Sequence, residues 1–100
     1  MLKITMEDGP GTTTLRLEGR VEGPWVKELR QAWNSLDGAL GSKKLSVDLR
    51  GVTHMCTEGK DVLAEIHRKT GAELIADTPM TKYFAEEAKR RSGKATKEGA

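Results

Sequence analysis

Leu45–Ile66 reads LSVDLRGVTHMCTEGKDVLAEI, and its two halves follow different periods. Leu45, Val47 and Leu49 alternate with Ser46, Asp48 and Arg50, the period of a strand with one buried face. From Glu58 to about Lys69 the apolar residues Val62, Leu63 and Ile66 recur at helical spacing. Gly71 follows, a residue suited to the left-handed backbone just past a helix end. A strand running straight into a helix is half of a strand–helix–strand unit, so an α/β fold is expected. Between the halves stand Cys56, Thr57, Glu58 and Gly59, and most of the functional reading depends on that junction.

The flanking sequence supplies the other elements. LKITMED (2–8) alternates Leu2, Ile4 and Met6 against Lys3, Thr5 and Glu7, and TTTLRLEG (12–19) alternates again around Leu15 and Leu17. The DGPG turn (8–11) joins them as a hairpin. In GPWVKELRQAWNSL, Trp25, Val26, Leu29, Ala32, Trp33 and Leu36 form one helical stripe, with Pro24 in the first turn. AELIAD (72–77) is a short fourth strand. TPMTKYFAEEAKR (78–90) is a third helix capped by Thr78, with Met80 and Phe84 turned inward. The order is β-β-α-β-α-β-α. A mixed four-stranded sheet with helices packed against it accounts for that order, the hairpin antiparallel and the later strands parallel through right-handed crossovers.

One hundred residues suit a single domain, expected over 1–91, whose core depends on a few large side chains: Trp25, Trp33, Tyr83 and Phe84. The net charge of +2 is unevenly spread. From Lys89 onward there are five basic residues and one acidic, a sum of +4, which leaves −2 for the rest (2 − 4). Residues 92–100, rich in Gly, Ser, Thr and Lys, are expected to be a disordered basic tail. The folded part has no basic, aromatic surface pattern, so nucleic-acid binding is not expected. A single cysteine, no apolar run of about 20 residues and no leader-like start lead to the expectation of a cytoplasmic protein.

LRLEGRVEGPWVKELRQAW and LSVDLRGVTHMCTEGKDVLAEIHRKTGAELIA together resemble the STAS domain of bacterial anti-sigma factor antagonists, which also occurs in sulfate transporter tails. The resemblance runs to about Lys89. The family's strand ends in a loop of the form Asp-Ser-small-Gly, from which a helix starts. This chain has Cys56 for the aspartate, Thr57 for the phosphorylated serine and Glu58 for the small residue, and it keeps Gly59. The resemblance implies a non-enzymatic protein-interaction domain acting in signal transduction and transcription regulation. Its partner would be a serine-kinase-type anti-sigma factor, bound through Cys56, Thr57, Glu58, Gly59, Lys60 and Asp61 and, near the same surface, Glu22. Thr57 would be the phosphorylation site. The alternative is a STAS adaptor subunit of a lipid-transporting ABC complex, which braces the ATPase without phosphorylation; the missing Asp-Ser pair favours it.

The residues themselves also admit simpler readings. Thr57 is a good N-cap, and a phosphate on it would lie at a helix N-terminus, where the backbone favours anions, yet beside the charge of Glu58. Cys56 is either a small buried hydrophobe or a thiol sensor activated by the helix end. A Cys56–His54 nucleophile and base would lack a third orienting group. His67 falls beside Leu63 and Ile66 as a half-buried packing residue. Neither histidine has a second ligand at metal spacing, EDGPGTTT lacks the Lys-Ser/Thr ending of a phosphate loop, and Asp48 has no partner carboxylate. No catalytic residue, metal or cofactor is therefore expected.

Overall fold

The computed structural model describes the backbone of residues 2–98 and the side chains of 2–36 and 38–92. The elements are β1 (Leu2–Asp8), β2 (Thr12–Val21), α1 (Pro24–Asp37), β3 (Lys44–Met55), α2 (Thr57–Thr70), β4 (Glu73–Ile75) and α3 (Pro79–Glu98). They form one sheet in the order β1-β2-β3-β4, antiparallel between β1 and β2 and parallel in the two later pairs. This is the expected mixed four-stranded sheet and the expected element order.

Strand alternation divides the sheet into two chemical faces. Leu15, Leu17, Val47 and Leu49 are fully buried and share one core cluster with Leu29 and Trp33 of α1, Val62, Leu63 and Ile66 of α2, and Phe84 and Ala88 of α3. The opposite face carries Thr14, Arg16 and Glu18 of β2 and Ser46 and Asp48 of β3. There Asp48, 3% exposed, takes a two-point contact from Arg50, with Nη2 to Oδ2 at 2.9 Å and Nε to Oδ1 at 3.0 Å. Arg16 approaches the same carboxylate at 3.6 Å and pairs with Glu7 of β1 at 3.1 Å. The Arg50 guanidinium holds the Asp48 carboxyl below the ordinary carboxylate range. Asp48 is thus the centre of an ion-pair network that runs from β1 to β3.

Helix ends follow the chemistry of their residues. Thr78 caps α3 reciprocally with Thr81: the Thr81 N–H donates to Thr78 Oγ1 and the Thr78 N–H to Thr81 Oγ1, both at 3.0 Å. Gly71 ends α2 at φ 68°, where its N–H donates to the His67 carbonyl at 2.8 Å.

Several expectations are corrected. Tyr83 is 53% exposed and Met80 46% exposed, so α3 turns Phe84, Ala85 and Ala88 inward instead. Met6, on the apolar side of β1, is 48% exposed because it lies toward the turn end of an edge strand. The helix α3 runs from Pro79 to Glu98, and within it Ser92 is buried, with its Oγ 3.2 Å from His67 Nδ1. Residues 99 and 100 of the expected tail lie outside the described residues.

Candidate functional site at the β3–α2 junction

Parallel pairing of β2 with β3 brings two strand-to-helix turns to one edge of the sheet. Val21 and Met55 are register partners, so the residues after them, Glu22 and Cys56, leave the sheet side by side. The Cys56 N–H donates to the Val21 carbonyl at 2.9 Å and ties the turns together. In open α/β sheets the carboxyl ends of parallel strands are the customary place for recognition.

Cys56 takes the N-cap position: its backbone is extended (φ −79°, ψ 171°) and its carbonyl accepts the first helical hydrogen bond, from the Lys60 N–H at 3.0 Å. Thr57 is consequently the first helical residue and not the cap. Its side chain is exposed and makes no hydrogen bond among the described residues. Capping therefore does not explain why a hydroxyl stands there. Glu58 is also exposed and adds negative charge to the first turn of α2, where the helix dipole favours it.

Gly59 is buried and has a different role. A Cβ there would lie 2.7 Å from Val21 Cγ1, 3.1 Å from Met55 Cγ and 3.3 Å from the Val21 carbonyl oxygen. The first turn of α2 therefore rests directly on the ends of β2 and β3, an approach that glycine permits. Gly59 sets the height at which Thr57 and Glu58 are presented and offers no contact surface of its own.

The expected site residues form two groups on either side of the junction. Glu22 pairs with Arg20 at 3.0 Å and with His54 at 3.4 Å, beside Cys56. The His54 ring is thus directed to a carboxylate, and the half-buried Cys56 packs against the core as a small hydrophobe. Lys60 and Asp61 face the other way, toward α3. The Lys60 ammonium lies 5.0 Å from the centroid of the Tyr83 ring, and Asp61 pairs with Arg91 at 2.7 Å. Lys60 is half-buried, and Asp61, though exposed, is held by its arginine.

This arrangement adds Tyr83 to the junction surface, and with it Met80 three residues earlier on the same side of α3. Sequence periodicity missed both, because an aromatic and a methionine in an amphipathic helix read as core. A hollow of about 450 Å³, bordered by Lys44, Ser46, Thr70 and Glu73, lies at the opposite ends of the strands. Among the described residues no three His, Cys, Asp or Glu side chains are grouped to hold a metal, and no helix is long and apolar enough to cross a membrane. The junction presents the exposed side chains of Thr57 and Glu58, bordered by Lys60 and Tyr83.

The fold is similar to that of a solved anti-sigma factor antagonist. The crystal structure of an anti-sigma factor antagonist from Mycobacterium paratuberculosis overlays 83% of this chain and 74% of its own length, with a TM-score of 0.75 and 23% sequence identity. A second solved structure, of a protein called Mglu, is similar over 75% of this chain but 19% of its own, with a TM-score of 0.59 and 19% identity. At these identities the likeness is one of fold. No family model matches the chain. No curated protein matches it significantly.

Proposed function

We propose that this chain is a non-enzymatic regulatory domain that binds a serine-kinase-type anti-sigma factor through the junction surface, and that phosphorylation of Thr57 releases the partner. One observation carries the reading: in a fold shared with an anti-sigma factor antagonist, the hydroxyl at the start of α2 is exposed and serves no capping bond. Unmodified protein sequesters the kinase and frees a sigma factor. Thr57 and Glu58 form the centre of the contact, Glu22 and the edge of Cys56 flank it, and Lys60 and Asp61 contribute from the α3 side, with Gly59 holding the turn in place. A phosphate on Thr57 adds about two negative charges beside Glu58 at the centre of the contact, which opposes docking by repulsion and desolvation.

The test is a pulldown from the native cytoplasm with the wild-type chain and Thr57→Glu as parallel baits, followed by titration of the purified partner. A kinase-like anti-sigma factor held by the wild type and bound at least ~10-fold more weakly by Thr57→Glu is the expected result. An ABC transporter ATPase held equally by both baits would overturn the switch. It would favour the adaptor reading, which the replacement of Asp-Ser by Cys56-Thr57 already supports in part.

A further inference from the structure

β1 is an edge strand of seven residues whose outer backbone groups meet no other strand among the described residues. An edge of that length is a template for pairing, and proteins usually blunt it with charges. β1 carries such charges, Lys3, Glu7 and Asp8, and the placing of the first two is self-complementary. We propose that β1 is a homodimerisation edge that pairs antiparallel with β1 of a second copy about a two-fold axis at Thr5.

Backbone parity allows this pairing. The Gly9 N–H donates to the Thr12 carbonyl at 2.9 Å, and the β1–β2 register is unbroken from Leu2↔Gly19 to Asp8↔Thr13. Antiparallel strands alternate hydrogen-bonded and open pairs, so residues 3, 5, 7 and 9 direct their backbone groups to β2. Leu2, Ile4, Met6 and Asp8 direct theirs to the free edge. With the axis at Thr5, Ile4 of each copy meets Met6 of the other as a hydrogen-bonded pair, and Thr5 meets its own equivalent across an open pair.

Side chains choose the register. Facing residues of an antiparallel pair lie on one side of the sheet, so Lys3 of each copy stands opposite Glu7 of the other on the polar face. Lys3 is exposed and makes no ion pair among the described residues, whereas Glu7 already contacts Arg16. The pairing would extend the Glu7–Arg16–Asp48–Arg50 ladder across the dimer. On the other face, the 48% exposed Met6 gains the half-buried Ile4 of the second copy. An axis at Lys3 or Glu7 would set like charges opposite each other, and an axis at Ile4 or Met6 leaves the lysine and glutamate unmatched. The register about Thr5 is the longest and the one in which both charges are paired. Two short strands bury less than a standard interface, so the dimer is expected to form in the micromolar range.

Sedimentation equilibrium of the full chain, from micromolar to millimolar concentration, tests the proposal independently of any binding partner. The wild type should dimerise with rising concentration. Lys3→Glu places glutamates opposite Glu7, and Glu7→Lys places lysines opposite Lys3, so each variant alone should dimerise at least ~10-fold more weakly. An equimolar mixture of the two restores both opposite-charge pairs and should return the affinity to about the wild-type level. Met6→Pro removes an edge-facing N–H while sparing the ladder to β2, and it too should weaken the dimer. A wild type that stays monomeric at millimolar concentration, or single variants that dimerise as well as the wild type, would overturn the proposal. So would a mixture no tighter than its components.

Discussion

At the residue scale, a threonine and a glycine in the first turn of α2 have opposite assignments. Gly59 has no room for a side chain, and the atoms in the way are a stiff, fully buried valine and a backbone carbonyl. Ala is intrinsically better than Gly within a helix by about 1 kcal/mol, but overpacking at such a site costs about 1–3 kcal/mol. Gly59→Ala is therefore expected to lower the unfolding free energy by up to about 2 kcal/mol in a urea titration. Thr57→Ala should change it by less than ~0.5 kcal/mol, since its hydroxyl is exposed and caps nothing. A loss near 1 kcal/mol on Thr57→Ala would return the residue to the capping role that its type suggests.

At the element scale, α2 depends on both of its ends being held. Its first turn rests on β2 and β3 through Gly59. Its last turn carries His67, Arg68 and Lys69, favourable to the C-terminal dipole, and closes on Gly71 at φ 68°. A Cβ at Gly71 meets nothing within 4 Å, so the need for glycine there is conformational and not steric. Gly71→Ala should cost about 1 kcal/mol, and Gly71→Asn distinctly less, because asparagine tolerates the left-handed region. Thermal unfolding of the two variants side by side checks this; equal losses would show that packing and not backbone conformation sets the requirement. α2 is also tied to α1, through Trp33 Nε1 donating to Glu65 at 3.3 Å, and to α3, through Asp61 and Arg91. The helix that presents the candidate site is thus anchored on three sides.

At the scale of the whole molecule, charges on the helix-free face stitch β1, β2 and β3 together. The central carboxylate, Asp48, has its acidity raised first by the Arg50 hydrogen bonds, with smaller help from Arg16. A carboxyl with a depressed folded-state pKa contributes stability above the unfolded value, and loses it as pH falls through the folded one. Asp48→Asn should therefore cost about 1–2 kcal/mol near neutral pH. The difference from wild type should shrink as pH drops below about 4. Denaturant midpoints of both proteins across that range test the sign; a difference independent of pH would mean that shape and not charge is what Asp48 supplies.

Local periodicity was enough for the element order, the strand faces and the caps at Thr78 and Gly71, because each depends on neighbours within a few residues. The alternation of Leu45, Val47 and Leu49 and the stripe of Val62, Leu63 and Ile66 determined the β3–α2 unit without reference to anything distant. The exposure of Met6, Met80 and Tyr83 was not legible, since an amphipathic stripe does not say how far its partner surface extends. Nor was the contact between Ser92 and His67, which lie 25 residues apart in sequence. The junction shows the same division. Its residue types and its position after a strand could be read along the chain. That Cys56 and not Thr57 occupies the N-cap position of α2, that Gly59 is a spacer against Val21, and that Glu22 and Tyr83 border the same surface were decided by tertiary structure. Each depends on strands and helices distant in sequence meeting at one edge of the sheet, and no local pattern encodes that meeting.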